Sequence, residues 1–390
     1  MFYLGIDIGK FHHTAALLTD EGKVIATVPS FSNTHAGFEQ LLTFITYHLP
    51  PGEELRIGME ATGPYWIPLA QWLNTHGWPP VVMNPIKTSS LRNYGVRGSK
   101  TDNIDSVLIA NALRFEGDKP QQVFPKHSEE LRHLTRLRAD MVNDRTRVAL
   151  RMTSLLDRLF PELLCSFSKT LSPCCLALLS QAPTPSRVLA LGEERLTTLL
   201  CHASRGKLGV TRAREIMNKA AASIGVTSKA LEEILPLLLQ QINLLDSQLR
   251  TLDHRIAELY DQAGLYFTSI AGVGTLSAAT ILGEFGSVER FKQAKQMVAF
   301  AGVDPKLRDS GQHRGAVHIS KRGSRYLRRA LYLACQGVVR NDDYFNAIYQ
   351  HHRDNGKSYK EAIIAVMNRF IHVIYAIWRD KRPYYPLTPA

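Results

Sequence analysis

The strongest constraint on the fold is a repeat of apolar residues late in the chain. Leu231, Leu235, Leu238, Ile242, Leu245, Leu249, Leu252, Ile256 and Leu259 fall alternately four and three apart. These are the a and d positions of a heptad, and a helix carrying such a stripe must cover it with another helix. Pro236 lies inside the first heptad, where it kinks or starts the helix. The partner is either a second copy of the chain or the segment Leu131–Phe160. The seam itself does not choose, and pairing between copies, as a coiled coil in a dimer or tetramer, is the expectation taken. Leu131–Phe160 reads as a long helix with Leu134, Leu137, Met141, Val148, Met152, Leu155 and Leu159 on one stripe. Its other face carries Arg132, Arg136, Arg138, Arg145, Arg147, Arg151 and Arg158 against Asp140, Asp144 and Asp157. That face is either simply solvated or in contact with phosphate.

At 390 residues, with 45% hydrophobic and 21% charged residues, the chain has room for about two or three domains and the makeup of a soluble globular protein. Its balance is basic, 47 Lys+Arg against 35 Asp+Glu for a net charge of +12, which favours nucleic acid over an acidic metabolite as partner. No apolar run approaches the ~20 residues of a membrane span, and the N-terminus lacks a signal-peptide pattern. An intracellular protein without a membrane partner is expected. Cys165, Cys174, Cys175, Cys201 and Cys335 show no zinc-like or disulfide-like spacing, and Cys174-Cys175 reads as packing.

The N-terminal third alternates strand and helix signals. Tyr3–Lys10 reads as a buried strand, His12–Thr19 and Lys23–Pro29 as two more joined by the turn Asp20-Glu21-Gly22. A helix follows at His35–Leu49, a strand at Leu55–Glu60, a helix at Pro64–Gly77, a strand at Pro80–Asn84 and a helix from Asp102 to about Phe115. The order βββαβαβα predicts a mixed sheet with helices on its faces, a ribonuclease H-like α/β domain. Residues 161–227 read as a small helical insert, with helical pieces at Arg187–Cys201 and Thr211–Ile224 and no recognisable chemistry.

Four acids stand out by context. Asp7 sits mid-strand, where an unpaired buried charge costs several kcal/mol. Glu60 ends a strand, and Asp102 and Asp105 lie three apart at the start of a helix, on one face. Asp102 and Asp105 alone could be helix-capping acids. Inward acids from three segments instead ask for cations. Phosphoryl transfer needs such a site: two Mg²⁺ ions about 3.5–4 Å apart, held by carboxylates, with Mn²⁺ able to substitute. Lys100, just before the helix, would add a cation near a substrate phosphate.

Towards the C-terminus, Gly272 and Gly274 form a Gly-x-Gly hairpin between apolar helical stretches, resembling a helix-hairpin-helix whose N–H groups suit a DNA phosphate. A plain helix–helix turn is the alternative. Lys306, Arg308, Arg314, Lys321, Arg322, Arg325, Arg328 and Arg329 then crowd a stretch containing a single acid, Asp309. This reads as a nucleic-acid contact loop leading into a helix. Tyr344–Arg379 reads as two supporting helices.

Gly5-Ile6-Asp7, Met59-Glu60-Ala61-Thr62-Gly63 and Lys100-Thr101-Asp102 with Asp105 together resemble the DEDD, RuvC-like domain of one class of insertion-sequence transposases, the IS-one-ten type. Ala271-Gly272-Val273-Gly274, Phe300-Ala301-Gly302-Val303 with Pro305, Ser310-Gly311 and Ile319-Ser320-Lys321-Arg322-Gly323 resemble that class's C-terminal domain, in the same order. The resemblance covers residues 2–125 and 229–380, while 161–227 is longer than the family's usual middle. It implies a RuvC-like DEDD domain at 1–125, a helical and coiled-coil region at 126–264, and an all-α transposase domain with a helix-hairpin-helix-like element at 265–390.

It further implies a recombinase whose tetrad, Asp7, Glu60, Asp102 and Asp105, binds metal while a C-terminal serine, Ser310, attacks the DNA backbone. Donor and target double-stranded DNA would be selected by a structured non-coding bridge RNA, in a prokaryotic cytoplasm at the nucleoid. From the residues alone, Ser310 precedes Gly311 within the cationic loop, where a transient phosphoserine is tolerated. Ser320 and Ser324 share that setting and stay open. Two other readings stand beside this one: a RuvC-like Mg-dependent nuclease that uses water, its C-terminal part only binding DNA, and a binding protein with a merely structural tetrad.

Overall fold

Alternating burial in the first strand shows how the N-terminal unit is built. In β1 (Phe2–Ile8), Leu4, Ile6 and Ile8 point to one face and Tyr3, Gly5 and Asp7 to the other. The computed structural model describes residues 1–61, 63–83, 102–116, 126–167, 171–226, 228–306, 309–310, 313–314 and 318–386. At 102–104, 116, 126, 305–306, 309–310 and 313–314 it places the backbone only. Two compact units emerge, Met1–Phe124 and Pro125–Ala390.

In the first unit, β1, β2 (His12–Thr19), β3 (Val24–Ser32), β4 (Leu55–Glu60) and β5 (Val81–Met83) form a sheet in the order β3-β2-β1-β4-β5. The first three strands are antiparallel neighbours, while β4 and β5 run parallel to β1. The tight turn at Gly22, with φ +85°, permits the β2/β3 hairpin, its N–H donating to the Thr19 carbonyl at 3.0 Å. The third strand runs to Ser32, past the expected Pro29, because register shifts in its pairing with β2 let Phe31 reach the core.

One face packs Leu4, Ile6, Ile57 and Met59 against Leu41 and Ile45 of α1 (His35–His48) and Leu69 and Leu73 of α2 (Trp66–Thr75). The other packs Tyr3, Leu18 and Val81 against Ile109, Ala110 and Leu113 of α3 (Asp102–Glu116). A Cβ on Gly5 would lie 2.1 Å from the Ser106 carbonyl oxygen and 2.4 Å from the Ala110 nitrogen. Only glycine lets α3 approach the central strand this closely.

The second unit is mostly helical. Its frame is α4 (Lys126–Leu159) alongside α10 (Lys229–Gln262). Between them lie α5 (Pro161–Leu164), α6 (Pro173–Gln181), α7 (Pro185–Leu191), α8 (Glu193–Ser204) and α9 (Val210–Ala221). The many prolines here start helices: Pro161, Pro173 and Pro185 each open one, with Ser172 and Thr184 as caps for α6 and α7. The helical stretch expected at Arg187–Cys201 divides at Gly192, whose φ is +79°.

The heptad stripe is the clearest correction. Leu235, Leu238 and Ile242 pack with Met152, Leu155 and Leu159 of α4, while Ile256 and Leu259 join Leu131 in a second cluster. Arg138 donates to Asp253 at 2.8 Å, and Arg145 pairs with Asp246, across the same seam. The stripe is therefore covered within the chain and leaves little for a second copy to bury, against the pairing between copies expected from sequence. Exposed Pro236 lies within the continuous α10, which starts at Lys229.

The C-terminal core comprises α11 (Thr275–Phe285), α12 (Ala294–Ala301), α13 (Arg325–Asn341), α14 (Asp343–Asp354) and α15 (Tyr359–Asp380). One correction concerns α15. It is long and apolar enough to cross a membrane, with a mean hydropathy of 1.3, although no such run was expected. Its Ile363, Val366, Phe370, Ile374 and Ile377 instead form the centre of this core. The packing expected of Cys174-Cys175 fits their burial, while Cys165 and Cys201 are exposed; burial pushes the Cys175 thiol up to about 12 and raises that of Cys335, so neither is a nucleophile at neutral pH.

Candidate active site

Strand register brings the first two acids together. Gly5 pairs with Gly58 and Ile6 with Met59 in the parallel β1/β4 ladder, so the next step sets Asp7 beside Glu60. On the other side of Asp7, the antiparallel ladder puts Thr14 directly opposite. Both acids face the side of the sheet that α3 covers. There Asp105 sits in the first turn of α3, 7% exposed, next to the Ser106 that meets Gly5. Asp102 opens the same helix, placed by its backbone, and Lys100 lies outside the described residues.

Carboxylate oxygens are the ligands that hard divalent cations prefer, so the donor set fits a Mg²⁺-type ion. Among the described residues, no three His, Cys, Asp or Glu side chains close into a metal cage. Thr14 was not singled out from sequence. The β1/β2 hairpin register, counted across the turn that follows Gly9, is the signal that finds it.

The serine region is built differently. Two short antiparallel ladders nest within one another. Pro305–Lys306 (β6) pairs with His318–Ile319 (β9), and inside it Asp309–Ser310 (β7) pairs with His313–Arg314 (β8). Ser310 stands opposite His313, and Arg314 opposite Asp309. Arg308 lies outside the described residues.

The ladders are rooted on helix ends. Gly302 ends α12 in the left-handed region at φ +68°, and a Cβ there would meet the Arg322 nitrogen at 2.6 Å. The Lys321 N–H donates to the Gly302 carbonyl at 3.0 Å, and the Ser320 N–H to that of Asp304 at 2.9 Å. The Ser320 hydroxyl donates to the Asp304 carboxylate, whereas Ser324 caps α13, accepting from Tyr326 N and Leu327 N. Arg328 turns inward to the carbonyls of Lys321 and Gly323. Lys321 and Arg322 remain exposed.

Behind this loop lies a polar network that sequence reading missed. Buried Glu284 of α11 accepts two hydrogen bonds from Arg136 at 2.6 and 2.8 Å, which holds that guanidinium above its usual range. Arg136 also lies 5.2 Å from the ring centre of Tyr326, whose hydroxyl donates to both oxygens of Asp140 at 2.9 and 3.0 Å. Arg325 donates to the Tyr326 hydroxyl at 2.8 Å and lies 3.7 Å from Asp140. Arg325 therefore shares its charge with this network, rather than facing solvent alone as a contact-loop cation would. No signal in the sequence joins Arg136 to Glu284, far apart in the chain.

The Gly-x-Gly hairpin splits its roles. A Cβ on Gly272, at φ +93°, would lie 2.4 Å from the Gly337 carbonyl, so this glycine serves close packing against α13. Gly274 caps α11, and a Cβ there would meet nothing within 4 Å.

Comparison with known proteins completes the description. A family model described as "Transposase", of the DEDD IS110 type, matches residues 4–161, and one described as "Transposase IS116/IS110/IS902 family" matches 265–350. The chain is 27% identical to the insertion element IS116 44.8 kDa protein of Streptomyces clavuligerus, covering 100% of this chain and 97% of that one. It is 27% identical to the insertion element IS900 42 kDa protein of Mycobacterium paratuberculosis, covering 99% and 98%. It is also 26% identical to a pilin gene-inverting protein of Moraxella lacunata, covering 98% and 97%.

Proposed function

The chain belongs to the IS110/IS116 family of insertion-element transposases, and from that premise we propose that it cuts and rejoins DNA by serine attack on a backbone phosphate. The placement of Asp7, Glu60 and Asp105 on one face of the sheet, with Asp102 opening the same helix, carries the reading. These four carboxylates would hold two Mg²⁺ ions, with Mn²⁺ able to substitute. When bound, such ions stabilise the charge that builds on phosphate oxygens. Three of the four acids come from sheet and helix positions that regular hydrogen bonding holds, which preorganises the donor set.

Ser310 is the serine we assign to attack. Its competitors have structural work: Ser320 is bound to Asp304 and Ser324 caps α13. The Ser310 oxygen forms a bond to phosphorus as the bond to the deoxyribose oxygen breaks, and the rejoining strand end reverses the exchange. Lys321, Arg322, Arg314, Arg308 and Lys100, with the hairpin at Gly272 and Gly274, would position phosphates. Arg325 would contribute only as far as Asp140 leaves it free.

The family resemblance extends the reading to a structured non-coding bridge RNA that selects donor and target DNA. It also extends it to a homo-oligomer working in the cytoplasm on nucleoid DNA, with units divided near residues 125 and 264.

A nicked suicide DNA substrate tests the chemistry. A covalent protein–DNA adduct mapped by mass spectrometry to Ser310 is the expected result. Cleavage without any adduct would instead identify a water-using nuclease. Sequencing the RNA that co-purifies with the protein tests the guide, and light scattering reads the assembly.

A further inference from the structure

The C-terminal helices carry a second basic feature, away from the cationic loop in sequence and outside every role assigned above. Between α14 and α15 runs a groove of about 430 Å³ lined by Ile348, His352, Ala365, Asn368, Arg369 and His372. Among the described residues, no carboxylate lines it. Of the polar groups that do, Arg369 and His352 are held by neighbouring side chains.

Arg369 donates through Nε to the Tyr344 hydroxyl and lies 5.5 Å from the centre of that ring, which leaves the outer guanidinium nitrogens for a ligand. Lys357 Nζ approaches His352 Nδ1 at 3.1 Å. An ammonium can only donate, so Nδ1 accepts and the proton of neutral His352 sits on Nε2. Burial, then Lys357 and His351, push His352 down, while burial, then Arg369 and Lys295, push His372 down. Burial is the larger cause in both, and Lys357, Arg369 and Lys295 add a positive field at the groove that an anionic ligand would relieve.

We propose that this groove is a contact site for the phosphodiester backbone of a nucleic acid, with Arg369, His352 and His372 as its donors. The inference rests on the transposase reading only in taking nucleic acid as the polyanion. Phosphate contacts of this kind contribute affinity without reading sequence, and each one adds to the salt dependence of binding. The chemistry is common to DNA and RNA, so both are tested.

Fluorescence anisotropy with a labelled DNA duplex and a labelled RNA hairpin, over a salt series, compares the wild-type chain with the Arg369→Gln/His372→Gln variant. The expected result is ~5- to 20-fold weaker binding of at least one of the two, with a salt slope shallower by about one. A loss on DNA alone or on RNA alone names the source. Affinity and slope unchanged on both would overturn the proposal.

Wild-type protein offers a reading that no folding defect can confuse. Bound nucleic acid should protect His352 and His372 from diethyl pyrocarbonate, and equal labelling with and without it also overturns the groove. Failure of the transposase reading looks different: full protection with no strand cleavage on any DNA leaves the groove standing.

Discussion

The acids of the N-terminal unit and the serine of the C-terminal unit are held by opposite means. Asp7 and Glu60 are neighbours because two strands are hydrogen-bonded along their length, and Asp105 joins their face because Gly5 lets a helix settle on the sheet. Ser310 lies in a two-residue strand inside another two-residue ladder, and its position descends from the helix ends at Gly302 and Ser324. A ladder spreads positional control over many bonds, whereas a rooted loop concentrates it in a few. Damage at a distance should therefore act differently on the two.

The largest effects come from removing the groups themselves. Asp7→Ala, Glu60→Ala or Asp105→Ala should each lower strand exchange by ~10³-fold or more, about 4 kcal/mol of barrier, with the far-UV circular dichroism unchanged. Mg²⁺ should raise the melting temperature of the wild type but not of the triple variant. Ser310→Ala should bind DNA as the wild type does yet form no adduct. Retention of activity within about tenfold in each acid variant would end the metal-site reading.

Next are changes to the frames that hold the two regions. Leu245→Lys with Leu252→Lys puts charges into the seam between α4 and α10 and should destabilise the helical unit by about 3 kcal/mol. A fall in native mass with an unchanged denaturant midpoint would instead place that seam between copies. Gly5→Ala should cost about 2–3 kcal/mol, because Ser106 and Ala110 are backbone obstacles that can only yield by moving α3. Gly272→Ala, strained at φ +93° and facing Gly337, should cost a similar amount. The sharper contrast lies in metal binding: Gly5→Ala should weaken the Mg²⁺-induced rise in melting temperature, and Gly272→Ala should leave it intact.

Smaller still is Glu284→Gln. Loss of the charge facing Arg136 should cost about 2 kcal/mol by urea titration, less than a fully buried pair because Arg136 is 41% exposed at its side chain. If the network supports the serine loop, adduct formation should fall while Mg²⁺ stabilisation stays.

The smallest effect is on pH. His13 is 1% exposed between Phe31 and Phe38, and burial, partly offset by Asn33, pushes it below the ordinary 6.5. The unfolded chain thus binds this proton more readily than the folded one. The contribution is complete above pH 6.5 and is lost as pH falls below it. About 1 kcal/mol should disappear from the N-terminal unit between pH 7.5 and 5.5, and His13→Phe should abolish that loss. An equal loss in the variant would assign the effect elsewhere.

Much of this was legible before any coordinates. The short apolar run Tyr3–Lys10 placed Asp7 on a buried strand, three-residue spacing placed Asp102 and Asp105 on one helix face, and the heptad stripe required a helix partner for Leu235, Ile242 and Ile256. These are properties of neighbours along the chain, where period alone decides which side chains share a face. Tertiary structure decided what period cannot. It chose α4 as the partner of the stripe, with the Arg138–Asp253 and Arg145–Asp246 pairs across the seam. It tied Ser320 and Ser324 into the loop's roots, joined Arg136 to Glu284, and gathered His352, Arg369 and His372 around one groove. Each of these depends on the meeting of segments whose separation in sequence carries no period, so no local pattern could have announced it.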